Sequence, residues 1–165
     1  MRTAGLLLLC LFAIPAKLGQ SQADDLPAKS QLAKQLMASG NFGQAISVYS
    51  ELNRAVPNNA GLRLNLGMAL QLAGEKREAI PQLQRAVTLD PSLEPAWLFL
   101  GATHLQLGEA IAALKPLRTV LGLDPDQQQA RQMLADALFS LDRFQEAVVE
   151  YRKLTESAPE SAPAW

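Results

Sequence analysis

The sequence predicts an all-α fold built from stacked helical hairpins, and three features with a common 34-residue period support this prediction. Proline recurs at this spacing, a turn position recurs as glycine or aspartate, and two further positions keep a small side chain. A fixed period of this length is typical of a solenoid rather than of a globule with a single core. The recurring residues are Pro57, Pro91, Pro125 and Pro159; Gly40, Gly74, Gly108 and Asp142; Ala33, Gly67, Gly101 and Ala135; and Ala45, Ala79, Ala113 and Ala147.

Each period contains two amphipathic helices. Residues 44–52, which follow the first turn glycine, place their apolar side chains at helical spacing along one face. Residues 62–70, which precede the next turn glycine, do the same. Glycine readily adopts the left-handed conformation that ends a helix, and proline cannot continue one. Each period is therefore predicted to be an antiparallel pair of helices with a tight turn between them.

The small residues and two additional prolines allow more detailed predictions about this hairpin. An alanine or glycine has almost no side chain, so the recurring small positions are expected to let the two helices of a pair cross closely. Pro81 and Pro116 fall within predicted second helices. We expect both to lie near the start of the helix, where the missing N–H group costs little.

These columns resemble the tetratricopeptide repeat, which has small residues at its eighth and twentieth positions and proline at its thirty-second. The resemblance implies a right-handed superhelical solenoid over residues 24–161, with repeats at 26–59, 60–93, 94–127 and 128–161. Its large seventh position is occupied by Leu32, Leu66, Leu100 and Leu134. Residues 162–165 are interpreted as the start of a truncated fifth repeat, since Pro163-Ala164-Trp165 matches Pro95-Ala96-Trp97 two periods earlier.

The N-terminal residues are typical of a secretory signal. Arg2 precedes an uncharged run over residues 4–14, which is shorter than the roughly 20 apolar residues needed to span a bilayer. We predict a signal peptide over residues 1–23 with cleavage after Ala23, and export to the bacterial periplasm or the cell exterior. After cleavage no membrane association is expected. A retained membrane tether or a buried segment is the alternative.

The composition argues against enzymatic and nucleic-acid-binding functions. Cleavage would remove Cys10 and leave 13 basic and 16 acidic residues, without a basic stripe for nucleic acid. No spacing suits a metal site, and no cofactor is expected. His104 is interpreted as a packed histidine that is hydrogen-bonded to a neighbour or to water. Acidic residues are interpreted as solvated and singly scattered, as at Glu75, Glu78, Glu146 and Glu150.

The resemblance also implies a concave groove lined by the first helices. The groove is expected to be an apolar strip, open to water and edged with amides, that binds an amphipathic helix or an extended apolar peptide. Neighbouring segments filling the groove are the alternative. The predicted groove residues are Leu64, Met68, Gln71 and Leu72; Leu98, Ala102, Leu105 and Gln106; and Gln132, Asp136 and Phe139.

The leading hypothesis for function is an exported, non-catalytic scaffold that binds an unidentified protein or peptide in this groove. The alternatives are a regulatory or recruiting lobe of a larger enzyme whose catalytic domain lies beyond residue 165, and end-to-end self-association of the repeats. A clamp for chaperone C-terminal carboxylates, known from some relatives, is not expected. The matching positions are Ser30, Lys34, Asn65, Pro95 and Phe99, and only Asn65 agrees with that clamp.

Overall fold

The computed structural model describes residues 25–157, which form eight α-helices and no strand within this range. The predicted signal peptide, Pro159 and the predicted start of a fifth repeat lie outside the described residues. First helices span 13 residues and second helices 14, and the helices follow one another as four hairpins. They are α1 (Leu26–Ala38), α2 (Phe42–Ala55), α3 (Ala60–Leu72), α4 (Lys76–Leu89), α5 (Glu94–Gln106), α6 (Ala110–Leu123), α7 (Gln128–Ser140) and α8 (Phe144–Ser157).

The four turns within the hairpins share one conformation. The turn residue has a positive φ in every repeat, with 75°, 89° and 75° at Gly40, Gly74 and Gly108, and 57° at Asp142. Aspartate is among the few non-glycine residues that adopt this region readily. In the second turn, the N–H of Glu75 donates to the carbonyl of Leu70, and the N–H of Gly74 donates to that of Gln71. The other turns repeat these two bonds, so the predicted turn column is confirmed.

The two helices of a pair cross at the small residues. A Cβ atom added to Gly67 would lie 2.7 Å from Cγ and Cδ2 of Leu83, and one added to Gly101 would lie 2.8 Å from the same atoms of Leu117. Both leucines and Ala79 are completely buried, and the other alanines at the same repeat position are at most 1% exposed. The expected close crossing is therefore confirmed.

The two prolines within second helices lie deeper than expected. Pro81 is the sixth residue of α4 and Pro116 the seventh of α6, beyond the first four positions whose N–H groups have no helical acceptor. The prediction that they lie near the helix start was therefore wrong. Each removes a helical hydrogen bond from the carbonyl four residues earlier, at Arg77 and at Ala112. Both of these residues are exposed.

A side chain at the fourth position of a repeat ties it to the loop that precedes it. The indole N–H of Trp97 donates to the carbonyl of Pro91 at 2.9 Å. Guanidinium groups make the same contact in the neighbouring repeats, from Arg63 to Pro57 and from Arg131 to Pro125. The recurring proline thus ends the helix and also provides a carbonyl that accepts a hydrogen bond. One such bond from each of these three repeats links it to the repeat before it.

Neighbouring repeats bury the large seventh position. Leu66, Leu100 and Leu134 are buried, whereas Leu32 is 46% exposed because no described element packs against that face of α1. Trp97 contacts both buried clusters of the core, one centred on α1 to α5 and the other on α5 to α8. The core is therefore continuous along the stack, as expected for a solenoid.

Candidate protein-binding groove

The first helices lie on the inner side of the stack. Helix α3 contacts α5 and α5 contacts α7, while second helices of adjacent repeats make at most marginal contact in the described part of the chain. Layers whose helices lie closer together occupy the inside of a curved stack. The first helices therefore provide its concave surface.

The predicted groove residues divide into a buried floor and exposed edges. Leu64 is only 8% exposed, so the expectation that it lies open to water was wrong. Gln71 and Ala102 are buried as well, and the remaining predicted residues of the inner face are half-buried or exposed. The half-buried residues are Met68, Leu98 and Leu105, and the exposed ones are Leu72, Gln106, Gln132, Asp136 and Phe139.

Two large apolar side chains protrude from this floor. Leu72 is 52% exposed and Phe139 is 58% exposed. The ring of Phe139 packs edge-on against that of Phe144, with centroids 5.4 Å apart and an interplanar angle of 68°. Such edge-to-face pairs contribute about 0.5–1.5 kcal/mol beyond area burial. The pair holds Phe139 in position although much of its surface faces solvent.

A cavity of about 790 Å³ opens from the groove beside the turn of the third repeat. Its lining is largely apolar, with carboxylates at Glu109 and Asp136. A volume of this size is within the usual range for ligand pockets. The apolar lining residues are Leu105, Gly108, Ala110, Ile111, Ala112 and Leu141.

Hydrogen bonds fix both carboxylates of this cavity. Asp136 accepts from the hydroxyl of Tyr151 at 2.5 Å and from the amide of Gln132 at 2.9 Å. The bond to Asp136, together with burial, raises the pKa of the Tyr151 hydroxyl above its ordinary value. Glu109 lies 2.8 Å from Nδ1 of His104, which must donate because a carboxylate can only accept. The interpretation of His104 as a packed, hydrogen-bonded histidine is confirmed.

One acidic residue differs from the expectation of solvated, single carboxylates. The side chain of Glu150 is only 15% exposed and lies 2.8 Å from Arg131 and 2.9 Å from Lys153. Burial by itself raises the pKa of Glu150, but the hydrogen bonds from Lys153 and Arg131 outweigh it and lower the pKa below its ordinary value. Glu150 therefore stabilises the junction between α7 and α8, away from the groove.

The amide oxygen of Gln71 on the groove floor is buried and has no hydrogen-bond partner among residues 25–157. Asn53 and Arg63 also have one buried unpaired atom each, but their other side-chain nitrogens are hydrogen-bonded. An unmade hydrogen bond at a buried group costs about 1–3 kcal/mol.

The structure also reveals groove residues that the family pattern did not predict. Ile111 is 75% exposed at the mouth of the cavity, yet it lies on a second helix. The pattern assigns groove positions to first helices alone, so it excludes this residue. The sequence does contain a signal, because the same position is occupied by Gly43, Arg77 and Gln145 in the other repeats.

The described residues offer no arrangement suited to metal chemistry. Within residues 25–157 no group of three histidine, cysteine or acidic side chains converges on one point. Over the same range, none of the helices combines the length and the apolar character needed to cross a membrane.

A family model for the tetratricopeptide repeat matches residues 36–98 and 104–165. The chain belongs to the tetratricopeptide repeat family. Its all-helical hairpin stack is the fold that the sequence predicted. Members of this class are scaffolds for protein–protein interaction, and the chain is a scaffold of this type.

The chain matches only part of a longer curated relative. It is 34% identical over 119 residues to DnaJ homolog subfamily C member 7 of Mus musculus, which is 72% of this chain and 22% of that protein. The chain thus spans about a fifth of the length of this curated relative.

Two solved structures have the same fold. MamA superposes with a TM-score of 0.80 at 24% identity, over 90% of this chain and 86% of that one. YrrB, described as a TPR protein with an unusual peptide-binding site, superposes with a TM-score of 0.75 at 21% identity, over 84% of this chain and 72% of that one. At these identities the likeness establishes the fold alone.

Proposed function

We propose that the chain is an exported, non-catalytic scaffold that binds a segment of a partner protein in its concave groove. The observation that supports this proposal most directly is the exposure of Leu72 and Phe139 on the inner face of the stack, from which the 790 Å³ cavity also opens. Contiguous exposed apolar surface marks protein interaction sites and ligand-binding grooves. A bound segment would bury these side chains and remove them from water.

The shape and chemistry of the groove suit a peptide rather than a small polar ligand. Half-buried Met68 and Leu105 lie between the floor and the exposed edge, and methionine adapts its shape to different apolar partners. The description of YrrB names a peptide-binding site on the same fold, which favours this function by analogy.

A double substitution of Leu72 and Phe139 by aspartate tests the groove. Short peptides are selected from a displayed library on the whole chain, and the affinity of the tightest one is measured by fluorescence anisotropy. We expect the double variant to weaken binding at least tenfold, because docking an apolar segment would desolvate two charges. Far-ultraviolet circular dichroism should remain unchanged, since both side chains are more than half exposed and the lost pairing of Phe139 with Phe144 costs only about 0.5–1.5 kcal/mol.

A matched control separates the groove from exposed apolar surface in general. Leu123 is 45% exposed at the end of α6 and lies outside the predicted groove. Leu123→Asp should bind the selected peptide as the parent does. Equal affinity of the groove double variant and the parent would remove the proposed site. Leu64 is unsuitable for this test because a charge there would be buried in the fold itself.

Export rests on residues 4–14, which lie outside the described residues, and it has its own test. N-terminal sequencing of protein recovered from the producing cell should begin near Asp24. An intact Met1 on soluble cytoplasmic protein would contradict export without affecting the groove.

End-to-end self-association is a second candidate function that one observation favours. Leu32 on α1 and Val148 on α8 are both exposed, whereas the equivalents of each within the stack, Leu66 and Leu114, are buried. Two copies could bury these faces against each other head to tail. Sedimentation velocity should then show mass rising with concentration, and Val148→Glu should abolish the rise. A constant mass for the parent would contradict this candidate.

A further inference from the structure

The stack is open on its convex side between α4 and α6. These second helices make at most marginal contact with each other, whereas both pack against α5. Helices that diverge in this way leave a cleft whose floor is the helix they share. A cavity of about 560 Å³ lies there, and its size is in the usual range for small-molecule sites. Its lining residues are Gln84, Val87 and Thr88; Trp97, Leu100 and His104; and Ala112, Lys115 and Pro116.

The walls of this convex-side cavity are largely apolar. Trp97, Leu100 and Pro116 provide its large apolar surfaces. The indole N–H of Trp97 donates to the carbonyl of Pro91, which holds the ring in place. Aromatic rings pack favourably against such a surface. An apolar cavity with a small number of polar groups is the usual form of a ligand site.

His104 brings an unpaired ring nitrogen to this cavity. Its Nδ1 atom donates to Glu109 at 2.8 Å, and Glu109 is not among the residues that line the cavity. Nε2 has no hydrogen-bond partner among the described residues, although the side chain is only 12% exposed. The other repeats have leucine at this position, at Leu36, Leu70 and Leu138. The packing of the stack therefore does not require an imidazole here.

Lys115 adds a positive charge at the exposed edge of the cavity. No described residue forms an ion pair with its ammonium group, and no acidic side chain is among the described residues that line the cavity. The corresponding cavity at the next junction differs, because Glu150 lies 2.8 Å from Arg131 there. Pro116 and Trp97 occupy the positions of that ion pair. The charge of Lys115 is thus available to a ligand.

We propose that this cavity is a binding site separate from the groove, and that its ligand is a small aromatic carboxylic acid with a hydroxyl group. The carboxylate pairs with Lys115, since it matches an ammonium group in charge and in hydrogen bonding. The aromatic ring of the ligand packs against Trp97. The hydroxyl group bonds Nε2 of His104, because a hydroxyl can both donate and accept.

Three related probes measure the two polar contacts separately. The full probe is para-hydroxyphenylacetate; phenylacetate lacks its hydroxyl group, and para-hydroxyphenylethanol lacks its carboxylate. Each is titrated into the whole chain and followed through the indole N–H signal of Trp97 in proton–nitrogen correlation NMR spectra, which Trp97→Phe identifies. We expect the full probe to bind with a dissociation constant of about 1 mM or lower. Each missing group should weaken binding about fivefold.

Two variants assign these contacts to their side chains. His104→Leu should bind the full probe and phenylacetate equally, because the partner of the hydroxyl group is gone. Lys115→Met should bind the full probe and the alcohol equally, because the partner of the carboxylate is gone. Lys34→Met is the matched control, since Lys34 is an exposed lysine on α1 with no ion pair among the described residues. Its preference among the probes should be that of the parent.

Each result decides the inference. A parent protein that binds none of the probes, or that binds the alcohol as tightly as the acid, would overturn it. A preference that either variant shares with the parent would overturn it too. Shifts confined to Leu105 and Ile111 would place the probe in the groove cavity instead and would also overturn it. None of these results affects the groove function, because the selected peptide tests that function.

Discussion

The close crossing of α3 and α4 predicts that Gly67→Ala destabilises the protein, although alanine is the better helix former. A Cβ atom at this position would lie 2.7 Å from two carbon atoms of Leu83. Favourable contacts between carbon atoms lie at about 3.5–4.0 Å. Leu83 is completely buried, so its side chain can yield only within the packed core.

The expected magnitude follows from two opposing effects. Overpacking a well-packed core costs about 1–3 kcal/mol. Replacing glycine by alanine within a helix gains about 1 kcal/mol. We therefore expect Gly67→Ala to lower the free energy of unfolding by about 1 kcal/mol.

Truncation of Leu83 should reverse the sign of this effect. Leu83→Ala alone is expected to cost about 2–5 kcal/mol, because it leaves a cavity. In that background the new methyl group of Gly67→Ala meets no clash, and only the helix gain of about 1 kcal/mol remains. The coupling energy between the two sites should thus be about 2 kcal/mol. Urea denaturation of the four proteins, followed by circular dichroism, measures it.

Gly122 provides the control for this test. A Cβ atom at Gly122 in α6 would meet nothing within 4 Å, so Gly122→Ala should stabilise by about 0.4–1 kcal/mol. If Gly67→Ala stabilised the parent protein, or had the same effect in both backgrounds, the crossing distance would not limit the residue at this position.

Three further predictions concern the junctions and the crossings. Glu150→Gln should destabilise by about 1–3 kcal/mol at neutral pH, because it removes a charged partner of Arg131. Since the pKa of Glu150 is lowered by folding, its contribution is present above the unfolded pKa of about 4.3 and is lost as pH falls through the folded value. The difference between variant and parent in urea should therefore shrink below about pH 4, and a difference independent of pH would contradict this. Trp97→Phe should cost about 1 kcal/mol through loss of the bond to Pro91, and an unchanged unfolding midpoint would show that this bond contributes nothing. Ala79→Leu should cost about 1–3 kcal/mol by overpacking, against less than about 0.5 kcal/mol for a surface control, and equal midpoints would refute the assigned crossing.

The sequence predicted the groove less well than the fold. Position in the repeat placed Leu72 and Phe139 on the inner face, and both are exposed there. It placed Leu64 on that face too, but Leu64 is buried in the core. Periodicity reports which way a side chain points, whereas exposure depends on how closely the next helix approaches. Whether these residues bind a partner stays a prediction.

The sequence by itself determined the local architecture of this protein. The helices, the turns and the helix ends depend on residues within one repeat. The glycine turn, which has a positive φ at Gly74, and the helix ends at the recurring prolines could therefore be predicted without a structure. Asp142 takes the place of the turn glycine because aspartate also tolerates a positive φ. These signals act over a few residues and recur in every repeat, which makes them easy to identify.

The tertiary structure decided what depends on contacts between repeats. Leu32 and Leu66 occupy the same repeat position, yet within residues 25–157 only Leu66 has a preceding hairpin that covers it. Glu150 was expected to be solvated, but Arg131 from the adjacent helix lies against it. Burial and pairing are properties of the stack, because each hairpin presents its faces to residues about 34 positions away in the chain.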